Sequence, residues 1–255
     1  MNDVPPQAGG VVGYAGDYAS FAEARACSTG YEAVAIVERT RNALRKVLRG
    51  EAAFERDSVT FAKLEPQWPL LALLLRAAAE RQGRLSLLDF GGSLGSTYFL
   101  CRDFLRDLPL LEWSVVEQPA HVACGQQEFA NAQLKFYSSI KACRQERQPT
   151  VLLLSSVLQY LPEPWKFLRE SATADFDWII LDRTAFIDAP QDRLTVETVP
   201  PRIYPASYPA WFFSRPRLEE NLPAGWKIVS EFDALDRQLL DGVELTFKGM
   251  ALRRT

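Results

Sequence analysis

From Gly83 onward the chain alternates short aliphatic runs with amphipathic stretches, and this alternation constrains the fold more than any other feature. The runs are RLSLLDF (84–90), EWSVVEQ (112–118), LKFY (134–137), TVLLLSS (150–156) and FDWIILDR (176–183), with room for a helix between consecutive members. Strands joined through helices run parallel, because each crossover returns the chain to the same end of the sheet, and such sheets are covered on both faces. Two further runs, GWKIVSEFDAL (225–235) and VELTFKGMALRR (243–254), leave no space for a crossover and predict a hairpin. The expected fold class is therefore α/β. It is a Rossmann-like, seven-stranded, mostly parallel sheet with helices on both faces and a terminal antiparallel hairpin.

Ahead of this region two helices are predicted. YEAVAIVERTRNALRKVLRG (31–50) places Val34, Val37, Thr40, Leu44, Val47 and Leu48 on one stripe and stops at Gly50. QWPLLALLLRAAAERQG (67–83) has Pro69 near its start and Gly83 at its end. Residues 1–82 thus read as an N-terminal helical extension or lid, with residues 1–20 irregular, and 83–255 as the main domain. Arg39, Arg41, Arg45, Lys46 and Arg49 read as a solvated basic face, with an anion-binding surface as the alternative. A net charge of −3 gives no whole-molecule attraction to nucleic acid or acidic membranes. Four cysteines without a CxxC pair, and a single His121, argue against a metal site and for reduced thiols. The apolar stretch LLALLL (70–75) is too short for a membrane span, and MNDVPPQAGG lacks the pattern of a signal peptide, so the expected location is cytoplasmic.

The first predicted strand runs directly into DFGGSLGS (89–96). In a doubly wound sheet ligands bind beyond the carboxyl ends of the strands, so this backbone faces one. A phosphate-binding loop of the GxxxxGK[ST] form would need a lysine that is not there. A dinucleotide loop of the GxGxxG form would need glycine where Ser93 and Ser96 stand. Asp89 would repel a pyrophosphate but favour a cationic amino group. Glu117, ending the second strand, suits the two hydroxyls of a ribose. A glycine loop with carboxylates and no basic clamp suggests S-adenosylmethionine.

LLDFGGSLGS also resembles the DxGxGxG segment of class I S-adenosylmethionine-dependent methyltransferases, with Ser93 replacing the usual middle glycine. GYAGDYASFAEA, FERDSVTF, DFGGSLGSTYF, WSVVEQP, LLSSVLQYLPEP, DRTAF and IYPASYPAWFF are similar to a bacterial group of methyltransferase-like proteins often encoded in surface-polysaccharide clusters. These stretches cover nearly the whole chain. The resemblance implies S-adenosylmethionine as cofactor. Gly91, Gly92, Ser93 and Gly95 would allow close backbone approach, Asp89 would contact the amino-acid end, Glu117 would hold the ribose and Gln118 would flank the adenine. Tyr137 and Ser138 would sit at the adenine edge, and Ser155, Ser156 and Gln159 near the methyl group.

An activated methyl group needs a nucleophile in line with it, and a sugar hydroxyl would gain from a general base. His121 is one candidate, against a structural histidine. Asp182 is another, with Arg183 beside it to orient a carboxylate or phosphate on the acceptor, against an ion-paired strand end. PPRIYPASYPAWFF (200–213), within an insertion at about 190–215, is stiff and aromatic. Tyr204, Tyr208 and Trp211 would form an acceptor wall, against a packing wedge or dimer contact. GYAGDY (13–18) would fold over the same opening. The expected function is methylation of a sugar or glycan intermediate on oxygen. The alternatives are a small-molecule N- or O-methyltransferase, a non-catalytic methyltransferase-like subunit of a biosynthetic assembly, and, less favoured by the loop, an NAD-dependent sugar enzyme. Oligomeric state is not legible in the sequence.

Overall fold

The computed structural model describes residues 13–30, 33–200, 203 and 206–255. The described chain opens with β1 (Gly13–Ala15), α1 (Phe21–Ala26), α2 (Ala33–Leu48), the hairpin β2 (Phe54–Arg56)–β3 (Val59–Phe61), and α3 (Trp68–Ala79). Strands and helices then alternate through β4 (Arg84–Phe90), α4 (Ser96–Leu105), β5 (Leu110–Val116), α5 (Pro119–Glu128), β6 (Leu134–Tyr137), α6 (Ile140–Glu146), β7 (Val151–Ser155), α7 (Pro164–Ala172) and β8 (Trp178–Thr184). After β8 come β9 (Phe186–Ile187), β10 (Arg193–Val199), β11 (Ala206–Ser214) and α8 (Arg215–Glu220). The hairpin β12 (Trp226–Leu240)–β13 (Val243–Arg254) closes the chain.

The spatial order of the predicted strands is β6-β5-β4-β7-β8-β13-β12. The first five are parallel, and β13 lies antiparallel to both its neighbours. The inner strands are buried on both faces, which is why they read as unbroken aliphatic runs. Their side chains still alternate. Val151 and Leu153 join Leu85 and Leu87 in a core beneath α3, α4 and α5, whereas Leu152 and Leu154 join Leu88 in a second core beneath α6 and α7. In α3, Leu70, Leu71, Leu73 and Leu74 are all buried in the first core, and each fully buried leucine contributes roughly 1.5–3 kcal/mol.

Among the described residues the sheet has eleven strands rather than seven. The β12–β13 arms are longer than the alternation alone suggests, and irregular pairing between Asp233 and Arg237 separates a half that joins β8 from a half that runs on. That outer half pairs with β1 and then, in order, β10, β11 and β9. Two expectations change as a result. Residues 13–15, read as irregular and lid-like, are a sheet strand between β12 and β10. The insertion is an antiparallel hairpin, β10–β11, rather than a proline-stiffened wall.

Candidate functional site

The order of strands reverses between β4 and β7, and a cavity of about 390 Å³ opens at their carboxyl ends. One end is lined by Asp89, Gly91, Gly92, Ser93, Glu117, Gln118, Ser155 and Ser156. Asp89 is buried at the end of β4. Its Oδ2 accepts a hydrogen bond from Trp113 Nε1 at 3.0 Å, while Oδ1 has no partner among the described residues. Burial pushes its pKa up to about 7, with Glu117 and Asp182 acting in the same direction and Trp113 against. A Cβ on Gly92 would lie 2.5 Å from the Asp89 carboxyl carbon, so glycine here is what leaves room for the carboxylate. A Cβ on Gly91, at φ +72, would lie 2.5 Å from Val157 Cγ2. Glu117 follows the last residue of β5 and accepts from the backbone N–H of Gln118 at 2.6 Å.

Ser93 sits at φ 53, in the left-handed region favoured by glycine, so the serine keeps that backbone conformation in the loop. It is not alone. Among the described residues seven non-glycines have positive φ, and five of them line this cavity: Asp57, Ser58, Ser93, Ser156 and Arg183. At Asp57 and Ser58 this is the geometry of a two-residue hairpin turn; at Ser93, Ser156 and Arg183 it falls at or just beyond the carboxyl ends of strands.

The other end of the cavity is lined by Tyr14, Tyr160, Glu197, Tyr208 and Phe247, with Glu55, Arg56, Asp57, Arg183 and Asp236 along one side. Glu197 is 4% exposed. Burial raises its pKa to about 7. Tyr208 Oη donates to Glu197 Oε1 at 3.4 Å, Tyr14 and Tyr160 bring their hydroxyls within 3.4 Å of each other, and Glu197 Oε2 has no hydrogen-bond partner among the described residues. Arg183 Nε donates to Asp236 Oδ2 at 2.9 Å and its Nη2 to Asp57. Glu55 accepts from Ser58 N–H at 2.8 Å and from the Ser96 hydroxyl, tying the β2–β3 hairpin to the first turn of α4.

Several residues expected at the site stand elsewhere. His121 is fully buried and outside the lining, with Nδ1 3.8 Å from Glu117 Oε2 and neither ring nitrogen hydrogen-bonded among the described residues; burial lowers its pKa against the pull of Glu117. Asp182 lies behind Ser155, whose hydroxyl donates to it at 2.8 Å, and burial raises its pKa to about 6. Arg183 does line the cavity, but two carboxylates already engage its guanidinium, which leaves it poorly placed to clamp an acceptor anion. Gly95 caps α4 in the left-handed region, Tyr137 donates to Glu146, and Ser138 is exposed beside the Ser139 cap of α6. Gln159 is buried and donates to the Arg183 carbonyl at 3.1 Å. None of these four lines the cavity. Tyr208 does; Trp211 instead donates to the Leu161 carbonyl at 3.2 Å and packs on the second core. Tyr204 falls outside the described residues. On the basic helix, Arg41 and Arg45 reach Glu128 of α5, and Arg49 reaches Glu51.

Sequence reasoning missed Tyr160, Glu197 and Asp236, whereas Tyr14, from the stretch expected over the opening, lines the cavity. One signal was present for Glu197: in RLTVETV (193–199), Thr195, Glu197 and Val199 form one alternating face, and all three are buried.

No family model matches the chain, and neither does any curated protein. Solved structures do match. One is the 1,6-didemethyltoxoflavin-N1-methyltransferase of Burkholderia thailandensis with 1,6-didemethyltoxoflavin and S-adenosylhomocysteine bound, 14% identical with a TM-score of 0.47, covering 89% of this chain and 92% of that one. Another is an S-adenosylmethionine-bound amino pentose methyltransferase from Micromonospora echinaspora, 14% identical with a TM-score of 0.48, covering 73% and 91%. A third is the magnesium protoporphyrin IX methyltransferase of Synechocystis PCC 6803 with S-adenosylhomocysteine bound, 14% identical with a TM-score of 0.48, covering 74% and 83%. At these scores the fold rests on the strand order itself. Among the described residues no helix is long and apolar enough to cross a membrane.

Proposed function

We propose that the protein is an S-adenosylmethionine-dependent methyltransferase acting on a small-molecule acceptor, with a sugar or glycan hydroxyl as the acceptor group. One observation carries this reading: Asp89, with a buried Oδ1 that has no partner among the described residues, and Glu117 lie at the carboxyl ends of adjacent parallel strands and line one cavity beside a glycine loop that carries no cation. Such a set suits a ligand that brings a positive charge and a ribose, and it repels a pyrophosphate. In this reading Asp89 takes the ammonium of the amino-acid end, Gly91, Gly92 and Ser93 let backbone approach, Glu117 accepts from the ribose hydroxyls, and Gln118 lies against the adenine. Ser155 and Ser156 border the reacting end, and Asp182 is a positioning residue that orients Ser155. The cofactor supplies an activated methyl group; the protein aligns the acceptor and keeps water away. The strand order and the resemblance of LLDFGGSLGS to class I methyltransferases support the same reading.

Calorimetry with S-adenosylhomocysteine tests it. Glu117→Ala removes two charge-assisted hydrogen bonds, each worth roughly 1.5–3 kcal/mol, so affinity should fall at least about tenfold. Wild-type protein that does not bind, or an unchanged variant, would remove the cofactor assignment.

A further inference from the structure

We propose that Glu197 is the general base of this transfer, and that the acceptor is an uncharged hydroxyl compound seated among Glu197, Tyr14, Tyr160 and Tyr208. The inference rests on the methyltransferase reading and deepens it.

Glu197 comes from β10 and reaches the cavity between its two strand neighbours, β1 with Tyr14 and β11 with Tyr208. Tyr160 closes the group from the 3-10 turn Leu158–Tyr160 that follows β7, only four residues beyond Ser156. Glu197 Oε2 is buried and without a hydrogen-bond partner among the described residues, although it borders a cavity. An unpaired buried carboxylate oxygen is costly unless a ligand uses it. Tyrosine hydroxyls gather around the carboxylate: Tyr208 Oη donates to Glu197 Oε1 at 3.4 Å, and those of Tyr14 and Tyr160 stand 3.4 Å apart. Hydroxyls donate and accept, as a polyol requires.

Charge narrows the acceptor further. Glu55, Asp57, Asp89, Glu117, Glu197 and Asp236 line the cavity against Arg25, Arg56 and Arg183, and Arg183 is held by two of those acids. A phosphate or carboxylate on the acceptor would meet like charge. Besides the three tyrosines, Asp57 at the β2–β3 turn bears on Glu197, and Arg25 of α1 lines the same cavity. In the step, the acceptor oxygen forms its bond to the methyl carbon as the methyl–sulfur bond breaks. The hydroxyl proton passes to Glu197. The products are a methyl ether, S-adenosylhomocysteine and a neutral glutamic acid that returns its proton to solvent.

The test uses the full chain with carboxyl-13C glutamate. The Glu197 resonance, assigned by its loss in E197Q, should titrate about half a unit or more lower with S-adenosylmethionine bound than with S-adenosylhomocysteine, because a sulfonium nearby favours the carboxylate and a thioether does not. Equal midpoints would put Glu197 away from the reacting sulfur and overturn the proposal, with no acceptor needed. Transfer of labelled methyl to methyl glycosides, sugar phosphates and uronates gives the second readout. Turnover should be confined to the uncharged glycosides. E197Q should lower it by roughly 10²–10⁴-fold with S-adenosylhomocysteine affinity unchanged, and should abolish the rise in rate with pH through neutrality. Full activity of E197Q, or preference for an anionic acceptor, overturns the proposal. Failure of the wild type to bind S-adenosylhomocysteine is a separate result and overturns the methyltransferase reading itself.

Discussion

At the carboxyl ends of β4 and β5, the cavity wall is made by short contiguous segments, 89–93 and 117–118. At its other end Tyr14, Asp57, Tyr160, Glu197, Tyr208 and Asp236 come from six segments that are far apart in the chain; sheet pairing brings Tyr14, Glu197, Tyr208 and Asp236 together, and the β2–β3 turn and a 3-10 turn add Asp57 and Tyr160. The first end depends on local backbone: glycines and a strand terminus. The second depends on β12 and β13 being long enough to outrun β8 and recruit β1, β10 and β11. A local end can be rebuilt wherever its motif occurs, whereas an assembled end changes whenever one of its strands does. A common cofactor and a variable acceptor would call for that division.

Arg183 joins the two ends, and breaking it should have the largest effect. It ends β8, and its guanidinium holds Asp236 of β12 and Asp57 of the β2–β3 turn. Arg183→Ala leaves Asp236 buried without this partner, so urea unfolding should show a loss of about 3–5 kcal/mol. A loss below about 1 kcal/mol would mean that the ends stand independently. Trp211→Ala comes next. The indole packs on the second core and hydrogen-bonds Leu161 rather than lining the cavity, so about 2–3 kcal/mol of stability should go, less than for a fully buried tryptophan. S-adenosylhomocysteine affinity should stay put. Normal stability with altered acceptor kinetics would return Trp211 to the acceptor wall. The smallest effect belongs to the local end. Ser93→Gly removes left-handed strain but frees the unfolded chain, for a net gain of about 0.5 kcal/mol in thermal or denaturant unfolding. No gain would mean that hydrogen bonding by the Ser93 hydroxyl offsets the strain.

The five parallel strands were legible because burial on both faces demands unbroken aliphatic runs, and each formed within two residues of its expected limits. Asp89, the loop glycines and Glu117 were legible because a strand end followed by glycine is a local arrangement. His121 stayed open between base and structural histidine because helix spacing places it near Glu117 without saying whether it faces the cavity or the core. Trp211 stayed open for a similar reason: aromatic density looks the same in a wall and in a wedge.

On its own, the sequence determined the layers, the crossover pattern and the ligand-facing loop, since hydrophobic period and backbone freedom are properties of neighbouring residues. Only the tertiary structure decided which face of RLTVETV turns inward, whether Arg183 is spent on Asp57 and Asp236, and that Tyr14 meets Glu197 across an extended sheet. A strand's alternation is symmetrical until its partners cover one side, and a charged group's availability is set by whichever opposite charges pairing brings within reach.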